Sequence, residues 1–191
     1  MIKIDLGASL SFVKDFRVPL LLVMFGLSAC ASPAEVQNMV VVPPELPAKV
    51  SSSPYSAAIE VTRVYGGEET NPLWTSEVSN AAFREALRES LQRSGLLASS
   101  APPQFSLTAS LKELDQPLVG FSLTVNSKVD YQLVEKSTMK SVFNEPVQAS
   151  YTATFGDSPI AIQRLRLANE GSIRENISQF LTRLIDSAPM Q

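Results

Sequence analysis

From Phe121 to Leu133 the chain alternates: Phe121, Leu123, Val125, Val129, Tyr131 and Leu133 are apolar, while Ser122, Thr124, Asn126, Lys128, Asp130 and Gln132 between them are polar. A repeat of two places successive side chains on opposite faces of a pleated strand, so this stretch can only bury one face of a sheet. Three further stretches share the pattern. Phe105, Leu107, Ala109 and Leu111 alternate with Ser106, Thr108, Ser110 and Lys112, and Val147, Ala149, Tyr151, Ala153 and Phe155 with Gln148, Ser150, Thr152 and Thr154. Ile59 and Val61 alternate with Glu60 and Thr62 within 57–65. Lys136 to Lys140 reads as a hairpin turn, and Pro146, which cannot donate to a ladder, points to a bulge or an edge position.

Two segments carry a helical repeat instead. Phe83, Leu87 and Leu91 recur every fourth residue beside Ala82, Ala86 and Ser90, with Thr75 or Ser76 as the capping oxygen, Glu77 at the positive end of the dipole and Gly95 as the stop. Ile173, Ile177, Phe180, Leu181, Leu184 and Ile185 form a second stripe after Gly156-Asp157-Ser158-Pro159. Ile162, Leu165, Leu167 and Ala168 belong to the same helix or to a short preceding one, and Gly171 marks a kink or a close packing contact. The order is strand, helix, strand, strand, strand, helix. It predicts an α+β two-layer sandwich, β-α-β-β-β-α, with a four-stranded, mostly antiparallel sheet and two helices on one face.

The composition removes several kinds of chemistry. The 191 residues include no histidine and one cysteine, Cys30. Without histidine there is no Ser-His or Cys-His nucleophile pair, and one cysteine allows no intramolecular disulfide and no cysteine-based zinc or redox motif. The expectation is therefore no enzyme, no catalytic residues and no metal. A formal net charge of −3 offers no basic field for nucleic acid.

Residues 1–29 read as an export signal, with Lys14 and Arg17 ahead of the short apolar run Val18 to Leu27, too short to span a bilayer. Leu27-Ser28-Ala29-Cys30 resembles the lipobox of bacterial lipoproteins. That resemblance implies cleavage between Ala29 and Cys30 and a covalent diacylglycerol and acyl chain on Cys30, with no other cofactor. It also implies, from Ala31 and Ser32 rather than aspartate after the cysteine, the periplasmic side of the outer membrane. More than one acyl chain anchors a protein stably, which a single chain does not. Residues 30–55, rich in proline and serine, read as an extended tether that could reach on the order of 70 Å. Val40-Val41-Val42 leaves a docked edge strand as the alternative. The compact domain is expected over 56–188.

From about Ile59 to Leu184 the chain resembles small α/β outer-membrane lipoproteins, such as the lipopolysaccharide-assembly lipoprotein and YajG-like proteins. The resemblance rests on Phe83-Arg84-Glu85-Ala86-Leu87 through Gly95-Leu96, on the hairpin from Tyr131-Gln132-Leu133-Val134 to Val142-Phe143, and on the helix from Asn169 to Leu184. It implies a periplasmic binding or scaffolding role for an envelope protein or glycolipid partner. An auxiliary part in lipid or lipopolysaccharide transport is the alternative, and a carboxylate-pair hydrolase, for instance Glu69 with Asp115, the third reading. The long tether argues against a plug inside a barrel.

If the elements run up and down, the loops carrying Glu68, Glu69, Trp74, Asp115 and Asp157 gather at one end of the sheet. With the tether entering at the other end, that face would point away from the membrane and form a partner-docking surface anchored by Trp74. The plainer reading is that Trp74 staples the first helix and the carboxylates complement its dipole. Arg164, Arg166, Asn169, Glu170, Arg174, Glu175 and Asn176 read mainly as a solvated helix face, with phosphate or carboxylate binding as the alternative.

Overall fold

The computed structural model describes residues 31–71, 76–99, 101–117 and 119–188. The strands form where the alternation lies: β1 spans Ile59–Tyr65, β2 Phe105–Asp115, β3 Leu123–Glu135 and β4 Ser141–Ala153. They pair in the order β1-β2-β3-β4, with β1 parallel to β2 and the other two pairs antiparallel. Two short helices, α1 (Val36–Met39) and α2 (Leu46–Val50), precede β1, α3 (Asn80–Arg93) links β1 to β2, and α4 (Ala161–Asp186) closes the chain. The expected α+β arrangement, a sheet covered on one face by helices, is the one observed.

The core lies between that face and the helices. Leu107, Val129, Tyr131, Leu133 and Val147 meet Phe83, Leu87 and Leu91 of α3 and Ile173, Ile177, Phe180 and Leu184 of α4, all of them buried. Each large side chain buried this fully contributes about 1.5–3 kcal/mol. The Tyr131 ring stacks on Phe180 at 4.0 Å between centroids, and Phe143 meets Phe180 edge-on.

Several local features depart from the reading of the sequence. Helix α3 is capped by Ser79, whose Oγ accepts the Ala82 N–H at 3.2 Å, and not by Thr75 or Ser76. Ser76 is committed elsewhere, its hydroxyl donating to the Ser32 carbonyl at 2.8 Å, and the Glu68 N–H holds the extended Val78 carbonyl. Strand β4 begins at Ser141, well before the expected start, because the hairpin zips to its turn. Pro146 occupies the free edge opposite Asp130, and the register shift lies at Leu133/Val134. Helix α4 is continuous, and Gly171 is a close contact: a Cβ there would lie 2.2 Å from the Tyr151 ring.

The largest departure is the stretch expected to be a tether. Residues 31–55 fold onto the helical layer, burying Met39, Leu46, Val50 and Tyr55 in the main core. Val41 donates its N–H to Ser90 Oγ of α3, so the valine run docks on a helix and not on a sheet edge. The prolines end and kink this strap without solvating it, because an apolar residue stands at nearly every turn that faces the groove between α3 and α4. Helix α4 is thereby buried on two sides, by the sheet and by the strap. Its first half shows no single apolar stripe for that reason.

Candidate functional site

Strands β1 and β2 run parallel, so the loops after them, the loop into β3 and the loop after β4 share one end of the molecule. Buried Arg164 knits that end together. Its guanidinium donates to the Ser158 and Pro159 carbonyls at 2.8 and 3.0 Å and to the Gly120 carbonyl at 3.1 Å, and lies 5.5 Å from the Phe155 ring centroid. Gly66, at φ +90°, lets the loop after β1 cross tightly under this end, since a Cβ would lie 2.0 Å from the Leu111 carbonyl oxygen.

The carboxylates singled out in the sequence are exposed at this end but do not converge. Glu68 lines a recess of about 170 Å³ with Glu77, Lys112 and Glu113. Asp157 lines another of about 130 Å³ with Tyr151, Glu170 and Arg174. Asp115 belongs to a third, on the open sheet face, and Glu69 lines none of the three. The Thr154 N–H and hydroxyl both donate to Asp157, at 2.7 and 2.8 Å, and hold its carboxyl below the usual range. Trp74, Ala29 and Cys30 lie outside the described residues.

The first residues of the strap lie at this end and not at the opposite one, where the tether was expected to keep them. Its last turn enters β1 from the opposite end, as expected, but its first residues have folded back along α4 to the loop end. Ser32 accepts from Ser76 and from Arg166, and the Ala34 N–H reaches the Glu77 carbonyl. Three of the polar residues in α4 that read as a solvated face, Arg166, Glu170 and Arg174, clamp this strap, while Asn169 donates to the Ser76 carbonyl at 2.6 Å and Glu175 is exposed as expected. Glu170, 1% exposed, accepts the Glu35 N–H and the Asn38 amide, both at 2.8 Å, with Arg166 at 3.6 Å. Arg166 also pairs with Glu35 at 2.9 Å, and Arg174 donates to the Asn38 carbonyl while stacking over Tyr151. Burial pushes the Glu170 carboxyl up, against the opposing pull of the Glu35 N–H, Asn38 and Arg166.

A groove of about 640 Å³ takes in two cross-strand rows of the open sheet face, Glu113 opposite Lys128 beside Gln148 and Asp115 opposite Asn126 beside Ser150, together with Glu175 and Gln179 of α4. A bulge between Leu111 and Glu113 brings the β2 carboxylates onto this face. The sequence signal for it is Lys112-Glu113, two polar residues in succession where the alternation calls for one. Such a groove can hydrogen-bond polar groups of either sign. Among the described residues no cluster of histidine, cysteine, aspartate or glutamate is placed to hold a metal ion.

No protein-family profile matches the chain, and no curated protein matches it in sequence. Among solved structures, a Xanthomonas campestris protein of the family DUF330 shares the fold at 11% identity and a TM-score of 0.57, over 82% of this chain and 96% of its own. A candidate lipoprotein of Caulobacter crescentus aligns at 18% identity and a TM-score of 0.49 over 74% and 93%, and a minor lipoprotein of Acinetobacter baumannii at 12% and 0.44 over 72% and 98%.

Proposed function

We propose that this protein is an outer-membrane lipoprotein, held by acyl chains on Cys30, whose periplasmic domain binds or scaffolds an envelope partner and performs no catalysis. The observation that carries the reading is the pairing of the lipobox-like Leu27-Ser28-Ala29-Cys30 with a strap, beginning at the next residue, that is locked to the domain through Glu170, Arg166 and Arg174. An anchor followed by a locked strap holds a domain at a set height and orientation, which suits a scaffold. The strap seals the helical side, so the polar sheet face with its groove is the broad surface left for a partner. A protein partner fits the mixed charges of Glu113, Asp115 and Lys128 better than a uniformly charged polymer does.

The anchor is tested by mass spectrometry of the N-terminal peptide from cells grown with and without globomycin. A diacylated or triacylated Cys30 is expected, and processing insensitive to the inhibitor defeats the assignment. The partner is tested by photo-crosslinking in intact cells from Lys128 and Asp115, with exposed Thr182 on α4 as reference. One protein adduct is expected from the first two positions and none from the third. Equal or absent adducts at all three leave the open face without a binding role.

A further inference from the structure

Among the described residues, the loop end carries the most exposed large apolar side chains once those of the β3–β4 turn are set aside. Val119 is 87% exposed, Phe121 83%, Phe155 55% and Ile160 42%. They come from two loops, the one into β3 and the one after β4, and each lies within a residue or two of a group gripped by Arg164: Gly120, Ser158, Pro159 and the Phe155 ring itself. A buried arginine that ties these two apolar loops together holds a patch. Patches of this kind, rimmed by polar residues, mark surfaces that meet something apolar.

The course of the strap identifies what they meet. Arg166, two positions after Arg164, binds Ser32. The two arginines differ by about 3 Å along the axis of α4 and project to opposite sides of a helix about 10–12 Å across. Cys30 is two peptide units from Ser32, at most about 7.6 Å between Cα atoms. Ser32, the second residue after Cys30, and the apolar patch therefore lie at the same end of the molecule. On the reading that Cys30 is acylated, we infer that Val119, Phe121, Phe155 and Ile160 form a second membrane contact, seated in the headgroup-acyl boundary of the leaflet that holds the Cys30 chains. Phenylalanine and aliphatic side chains of surface-bound segments bury at that boundary. Exposed Asp157 lies in the same loop as Phe155 and Ile160, so the patch does not sink past the headgroups, and strongly anionic leaflets weaken the contact. Two contacts on either side of α4 fix the tilt of the domain, where a lone anchor leaves it free to swing.

The test uses the one-cysteine composition. Acylation consumes the thiol of Cys30, so Phe121→Cys, Phe155→Cys and, at the opposite end, Met139→Cys each supply a unique thiol in the full chain. Each protein is processed in cells, reconstituted through its own anchor into phosphatidylethanolamine-phosphatidylglycerol vesicles and labelled with an environment-sensitive fluorophore. Emission from positions 121 and 155 is expected to shift to the blue and to be quenched by spin-labelled lipid several-fold more than emission from position 139. Equal quenching at the three positions overturns the inference, and so does a blue shift without lipid quenching, which means that a protein covers the patch. Phe121→Ser, on a side chain outside the core, should fold as the natural protein does and lower quenching at position 155. The anchor reading fails separately: if the natural protein itself takes the label, Cys30 is free, and both readings fall.

Discussion

Glu170 is the residue on which the N-terminal strap depends most. Removing its carboxylate leaves the Glu35 N–H, the Asn38 amide and Arg166 without their shared acceptor, so Glu170→Ala should cost about 3 kcal/mol. Amide exchange at Ala34, Glu35 and Val41 should rise first, with the sheet still protected. Because burial raises the folded pKa of Glu170 above its ordinary 4.5, the protonated form favours the folded state. That contribution is present below 4.5 and is lost as pH rises through the raised value. The difference in denaturant midpoint between the natural protein and Glu170→Gln should fall over that window, and a difference that rises with pH contradicts the assignment. Asp157 has the opposite sign, its contribution being lost as pH falls below 3.8. Gly171→Ala sets about 1 kcal/mol of helix propensity against a 2.2 Å approach to the Tyr151 ring. Overpacking of that kind costs about 1–3 kcal/mol, so a net loss in thermal or denaturant unfolding is expected. The sequence marks Gly171 as special but names no partner, because Tyr151 reaches it only across the α4–β4 contact.

At the scale of elements, α4 is joined to the sheet by a polar seam inside the core. The Tyr131 hydroxyl donates to Asn176 Oδ1 at 3.0 Å, the Asn176 amide donates to the Val147 carbonyl at 2.9 Å, and Ser172 bonds Ser127 at 2.8 Å. Burial pushes the Tyr131 hydroxyl well up, so it remains a neutral donor. Tyr131→Phe keeps the ring on Phe180 and orphans Asn176 Oδ1, at roughly 1–3 kcal/mol. Asn176→Ala removes the bonds to Tyr131, Val147 and Ser127 together and should cost more. The double variant should fall short of the sum of the two, as for residues in one network, and strict additivity in urea unfolding would show that the seam is not a unit. The strands were legible because each has one wet face, which writes a period of two into the sequence. Helix α4 was legible only in its second half. Its first half meets the strap through Arg166, Glu170 and Arg174, and buried polar contacts look like a solvent face when the partner is 130 residues away in the chain.

For the whole molecule, the strap decides where residue 31 meets the domain. A solvated tether would be cut by trypsin at Lys49 within minutes, whereas Lys49 here lies in α2 between buried Leu46 and Val50 and pairs with Asp186. Residues 31–49 should therefore stay attached under native digestion, and their early release would show that the strap is undocked in solution. Lys49→Ala itself should change stability by no more than about 1 kcal/mol, as for an exposed ion pair. The sequence alone determined the two-layer α+β class, the absence of histidine and disulfide chemistry, and the lipobox-like stretch ending at Cys30. Those are local facts, written in periodicity and composition. Only the tertiary structure decided that the proline-rich segment is part of the core, that its first residues meet the loop end, and that the exposed apolar loops lie there with them. Such features depend on contacts between residues more than 100 positions apart, and nothing in a local pattern distinguishes a proline-broken segment that finds a groove from one that does not.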